Sequence, residues 1–217
     1  MRPGLAYFRR MKRFFVVSAL ALILLGIAVF AWTLLRPQTS SGGIAVRGGA
    51  PLNLQVARIL PHYPQKDATW SAERIGGSGE SIGAVGCTLC CVGMAFDHFG
   101  ISGHDPGTLN ATLIAKSGYT ARGWIRWNSV EEASGGRIRV QVHNAPSHEQ
   151  IDADLQSGRL VLAKFYLPLG IPHWVLICGK KGDDYLIKDP ALSTPGLVRL
   201  STRADLIVAT RTLALRE

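Results

Sequence analysis

Only four cysteines occur in the 217 residues, and three of them, Cys87, Cys90 and Cys91, fall within five positions. A secreted scaffold held by disulfides carries more cysteine, more evenly spread, so a stapled fold is excluded. A single pairing, such as Cys87 with Cys90, stays open. Acidic residues are absent from positions 1–36, which hold six Lys or Arg. The net charge of +9 is therefore mostly local, since the remainder carries 18 basic and 15 acidic residues. No basic stripe interleaved with aromatics appears, so no nucleic-acid partner is expected. His62, His98, His104, His143 and His148 show no ligand spacing with the cysteines, and a zinc site needs two close pairs of ligands. No metal and no cofactor is expected. Internal repeats, low-complexity segments and the phosphate-loop pattern (Gly, four residues, Gly-Lys-Ser/Thr) are also missing.

Charge is absent from Phe14 to Leu35, a run of 22 residues. A helix of about 20 residues crosses a bilayer core, so the run is expected to be a transmembrane signal anchor. Arg2, Arg9, Arg10, Lys12 and Arg13 precede it, which places the N-terminus in the cytoplasm and the rest outside. The rival is a secreted protein cleaved after Val29-Phe30-Ala31, but the apolar run is longer than a usual signal-peptide core. The organisation read from the chain is then a cytoplasmic basic segment at 1–13, an anchor at 14–35, a small polar linker at 36–50 and a folded domain at 51–217. The lipid bilayer is an expected partner through 14–35.

Within the domain, Leu52 to Leu60 alternates loosely as a first strand, and a proline-containing loop runs to Trp70. Ser71 to Gly86 is Gly- and Ser-rich and reads as an irregular loop. Asp105-Pro106 opens a helix to about Lys116, with Asp as cap and Pro at the first position. Gly118 to Trp127 suits a loop or short helix. Arg137 to Val142 alternates as a strand. Ser147 and Gln150 form a capping-box start for a helix to about Gln156. Leu160 to Tyr166, Trp174 to Cys178 and Tyr185 to Ile187 are apolar strands, and Ala204 to Ala209 is a last short element. Helices first and antiparallel strands later give an α+β expectation.

Two stretches carry chemistry. In Gly83 to Gly100, Cys87 follows a glycine and opens an apolar run of helical length. The free amides and positive dipole end of a helix favour a thiolate there, which is where a cysteine nucleophile is useful. The same residues also suit plain core packing. In His173 to Pro190, two apolar runs flank Lys180-Lys181-Gly182. A three-residue hairpin loop there puts the positive φ on Gly182 and sets Cys178 opposite Asp184, Ile177 opposite Tyr185 and Val175 opposite Ile187. His173 then meets Asp189 across the strands, and a carboxylate in that place fixes the imidazole tautomer. Cys178 falls on the other face with Trp174 and Leu176, as core.

The order of these residues resembles papain-like cysteine peptidases and, more narrowly, the peptidase C39-like family. Tyr63-Pro64-Gln65, Gly86-Cys87, Gly93-Met94-Ala95, His173-Trp174-Val175 and Asp189-Pro190 carry the resemblance, over roughly Leu60 to Pro195. It implies a papain-like fold of N-terminal helices and a C-terminal antiparallel sheet, here preceded by one transmembrane helix. It implies a peptidase with Cys87 as nucleophile, His173 as base and Asp189 as its orienter. It further suggests that Gln65 donates to the oxyanion beside the backbone N–H of Cys87. Twenty-one residues separate Gln65 from Cys87, so that loop must fold back. Ser81 is a nearer donor. The implied partner is a peptide or protein substrate outside the cytoplasm. Two other functions fit parts of the pattern. One is an inactive C39-like domain that only holds peptides. The other is a dithiol oxidoreductase using Cys87 and Cys90, for which no βαβ pattern is present.

Overall fold

The structure is a computed structural model that describes residues 42–56 and 60–216. Five helices are described: α1 (Ile82–Val85), α2 (Cys87–His98), α3 (Pro106–Ala115), α4 (Trp127–Ala133) and α5 (His148–Gln156). The strands are β1 (Ile44–Ala45), β2 (Arg47–Gln55), β3 (Ile138–His143), β4 (Leu160–Leu167), β5 (Ile171–Lys188), β6 (Val198–Arg199), β7 (Leu206–Ile207) and β8 (Ala209–Leu215). The main sheet has the order β2-β5-β4-β8-β3, with β6 also on β5, and all its pairings are antiparallel. β1 and β7 form a separate antiparallel pair.

Strand β4 shows why the sheet is covered on both sides. Leu160 and Leu162 join α2 in one core, with Leu176 and Cys178 of β5 and Leu213 of β8. Val161, Ala163 and Phe165 point the other way, into a core with Ile151 and Leu155 of α5 and Val175 and Ile177. A strand buried on both faces needs a continuous apolar run, which LVLAKF nearly is. Helix starts follow the expected chemistry. Asp105 accepts from the amides of Gly107 at 3.0 Å and Thr108 at 3.2 Å, and Ser147 accepts from Gln150 N at 3.1 Å.

The expected architecture is corrected in several places. The chain is a mixed α/β fold with a mostly antiparallel sheet, not a papain-like succession of N-terminal helices and C-terminal sheet. β2 precedes every described helix, and α5 lies between β3 and β4. Among the described residues no helix is long and apolar enough to cross a membrane. The apolar run 14–35 lies outside them.

Two further corrections share a cause. Residues 42–50, read as linker, contain β1 and most of the first half of β2. Leu52–Gln55 fall within the expected first strand, but RGGAP before them has no strand pattern; it joins β2 because the edge of β5 offers unpaired backbone groups, in a register that pairs Leu54 with Lys180 and Arg47 with Asp184. The expected loop Lys180–Gly182 is consequently paired with β2, although Gly182 does hold the positive φ, at 66°. At the other end, β8 runs to Leu215 in the middle of the sheet, where only a short element to Ala209 was expected. Its alternation of Thr210, Thr212 and Arg211 hides an interior strand, because the two threonines are buried.

The second core contains a buried ion pair. Lys180 Nζ donates to both oxygens of Asp152, at 2.7 and 2.8 Å. Tyr185 Oη and Ala50 N also donate to that carboxylate, at 3.2 and 2.9 Å. Gly49 covers it so closely that a Cβ there would lie 2.4 Å from Asp152 Oδ2. Asp152→Ala leaves an ammonium with a fully buried side chain unpaired, at an expected cost of about 3–5 kcal/mol in urea unfolding. Asp152→Ala with Lys180→Met should recover most of it; a double variant as unstable as the single one would disprove this account.

Candidate active site

Cys87 is the first residue of α2, and its helix starts sharply because α1 ends at Val85, with only Gly86 between them. Gly86 makes that junction. A Cβ at Gly86 would lie 2.5 Å from both Ile82 O and Ile82 Cγ2, so no other residue fits between the two helices. The Gly86-Cys87 pair is thus a steric device that turns a buried cysteine onto a helix N-terminus.

His173 comes from β5, at the position paired with Phe165 of β4, whose ring meets the imidazole edge-on at 5.3 Å. Asp189 follows the end of β5. A straight strand would put residues sixteen apart at roughly 50 Å. Instead His173 Nε2 lies 2.7 Å from Asp189 Oδ1, so the segment folds back on itself as expected. With Nε2 on the carboxylate, Nδ1 is the ring nitrogen left to act on the Cys87 thiol. The backbone of Trp174 and the hydroxyl of Thr88 also pull the Cys87 thiol down.

The electrostatics follow from these contacts. Burial alone would push the Cys87 thiol up, but the hydrogen bond and charge of His173 hold it below its ordinary value. Burial alone would push His173 down, but Asp189 and Cys87 raise it to about 9. Both directions favour a thiolate–imidazolium pair. Asp189 is fully buried, yet its carboxyl stays below the usual range because it accepts from His173, from Ala191 N at 2.8 Å and from Arg203 Nε at 2.7 Å. The other three thiols are different. Burial raises Cys90 and Cys91 far above an ordinary thiol and Cys178 to about 12. No disulfide joins Cys87 to Cys90, and all four cysteines are free.

The loop bearing Gln65 does fold back. Tyr63 Oη donates to Asp97 in the last turns of α2, and Trp70 Nε1 donates to Pro64 O at 2.9 Å. His62 Nε2 donates to Leu192 O at 2.7 Å, and Gln65 N to Pro190 O at 2.9 Å. The loop is therefore pinned both to α2 and to the residues just after Asp189. Gln65 Nε2 donates to Gly83 O at 3.0 Å, four residues before Cys87, while its Oε1 is buried without a partner. A primary amide has two N–H groups, so one remains for a ligand. Ser81, the nearer donor in sequence, instead occupies the N-cap of α1.

Arg203 was not foreseen. It lies fourteen residues beyond Asp189 with no pattern linking them, and the 3₁₀ turn Leu200–Thr202 delivers it. Arg211 was missed too: its guanidinium lies over the rings of Trp127 and Trp174, at 5.3 and 5.2 Å, bracing the residue next to His173. Among the described residues, no group of three or more His, Cys, Asp or Glu is placed to hold a metal ion.

Chemically, the arrangement offers an activated thiol, a base oriented by a buried anion, and amide donors beside them. No family model matches the chain, and no curated protein sequence matches it at a significant level.

Proposed function

We propose that the chain is a cysteine peptidase of the C39-like kind, working through Cys87, His173 and Asp189. The buried His173–Asp189 hydrogen bond, with His173 holding down the Cys87 thiol at the start of α2, carries this reading. In the first half-reaction the Cys87 thiolate adds to the substrate carbonyl. The backbone N–H of Cys87 and the free N–H of Gln65 stabilise the oxyanion. His173 gives its proton to the leaving amine as the C–N bond breaks, leaving a thioester on Cys87. His173 then takes a proton from water, which attacks the thioester and frees the acid and the thiol. The chemistry calls on no metal or cofactor. The apolar run 14–35 and its preceding basic residues support a membrane-anchored enzyme whose domain acts outside the cytoplasm.

Thiol reactivity tests it. In the native protein iodoacetamide should modify Cys87 far faster than Cys90, Cys91 or Cys178, with the sites read by mass spectrometry. Cys90→Ser should keep peptide cleavage, which separates this function from a dithiol oxidoreductase that needs both thiols. Equal reactivity at Cys87 and Cys178 would remove the basis of the proposal.

A further inference from the structure

We propose that the β4–β5 hairpin tip, Tyr166 to Ile171, is a lipid-contacting finger that holds the His173 strand against the bilayer surface; the idea rests on the anchored reading above. The turn joining the strands is Pro168-Leu169-Gly170. Leu169 is 97% exposed, Ile171 52% and Tyr166 36%. Leu169 also has φ 66° and ψ 15°, a left-handed conformation that leucine rarely adopts. Asparagine or glycine would sit there without strain, so local folding does not explain an apolar side chain at the outermost point of the hairpin. Ile171 is two residues from His173, so whatever the tip touches lies beside the nucleophile's base.

The chain's own path favours lipid as the occupant. Gly43 packs on Ile207 and Val208, where a Cβ would lie 3.2 Å from Ile207 O and 3.5 Å from Val208 Cγ1. Val208 N in turn donates to Lys164 O of β4 at 2.8 Å. The domain therefore begins three residues along the sheet from the strand end that forms the tip. Leu206 is half exposed and pairs with Ala45 at that same entry. Six residues, 36–41, separate the apolar run from Gly42, a reach of at most about 20 Å.

The side chains match a membrane interface. Lys164 Nζ lies 5.0 Å over the ring of Tyr166 and 3.4 Å from its hydroxyl, a cation and an amphipathic ring behind an apolar point. A peptide side chain binds in a concavity; Leu169 protrudes, and a fluid acyl region accepts a protruding group without a matching wall.

The test uses the full chain, in a Cys87→Ala background, with Ile171→Cys carrying an environment-sensitive fluorophore. It is reconstituted in phosphatidylcholine–phosphatidylglycerol vesicles with or without an acyl-chain nitroxide. Nitroxide should quench the probe, Leu169→Asn should abolish the quenching, and a probe at Ser102→Cys, beyond the far end of α2, should be unaffected. Leu169→Asn should not lower Tm, and relief of the backbone strain should raise it by about 2–4 °C. With Cys87 intact, Leu169→Asn should slow cleavage of a bilayer-tethered peptide about tenfold, the loss from returning one Leu to water, while cleavage of the same peptide in solution is unchanged. Quenching without any cleavage would sink the peptidase reading and leave the finger standing. An unquenched probe at 171, or one shielded by soluble peptide and not by vesicles, overturns the finger, as does a full chain that fails to float with vesicles.

Discussion

Cys87→Ala is expected to lower kcat for peptide cleavage by about 10⁴-fold or more, down to the level of the remaining oxyanion donors. His173→Ala should cost about as much, and the double variant little more, because nucleophile and base act as one unit. Neither change should alter KM greatly, since neither group is offered as a substrate-binding contact. The fold should tolerate Cys87→Ala. The residue is small, it opens α2 without capping it, and Gly86 makes the tight junction. Cys90→Ser is the contrasting variant. Cys90 lies one turn further along α2, is fully buried, and has its thiol pushed far up by that burial. Its cost should fall on stability, through a hydroxyl placed in an apolar core, and not on kcat. The measurement is steady-state cleavage of a peptide library by the purified full chain, with Tm recorded beside it. Residual turnover in Cys87→Ala within tenfold of the parent would show that the thiol is not the nucleophile. Loss of turnover in Cys90→Ser with unchanged Tm would move the chemistry to the dithiol.

The candidate residues were legible because each is announced by its immediate neighbours. Gly86 before Cys87 marks a helix junction, and the apolar run after it marks the helix. Gly182 marks the fold-back that brings His173 to Asp189, and the two meet as the alternation on either side requires. Capping residues announced α3 and α5 in the same local way. What failed was non-local. β2 is a strand only because the edge of β5 needs a partner, and Gly48, Gly49 and Pro51 within it argue the other way. β8 is interior despite Thr210 and Thr212, since Thr212 Oγ1 is satisfied by Asp154 at 2.5 Å. Arg203 reaches Asp189 through a turn that depends on where β6 docks on β5.

The second large effect concerns charge and not shape. Asp189→Asn should lower kcat by about 10²–10⁴-fold and shift the alkaline limb of the pH–rate profile to lower pH. In the parent, His173 is held at about 9 by the Asp189 carboxylate and the Cys87 thiolate, against burial. The leaving amine needs the imidazolium, so parental activity should fall as pH rises through about 9. Removing the anion takes away part of that upward pull, and the limb moves towards the ordinary imidazole value near 6.5. The linked stability has the same sign. A raised imidazole contributes stability fully below its ordinary value of about 6.5 and loses it as pH rises through about 9, while the depressed Asp189 carboxylate loses its share as pH falls through the carboxylate range, so the stability gap between parent and Asp189→Asn should be widest in mildly acidic solution and narrow above about 9. Asparagine also meets a donor conflict. Asp189 Oδ1 accepts from His173 Nε2 and Ala191 N, and Oδ2 accepts from Arg203 Nε. Whichever way the amide turns, its NH₂ group faces a donor. If it faces the ring, Nε2 must become an acceptor, and the proton moves to Nδ1, where it blocks the base that Cys87 needs. Adding Arg203→Met removes the conflict on one side and lets the NH₂ group point there. That pair should regain thermal stability while the alkaline limb stays low, because the lost charge is not restored. A profile for Asp189→Asn that still breaks at about 9 would mean that Asp189 braces the fold without tuning His173.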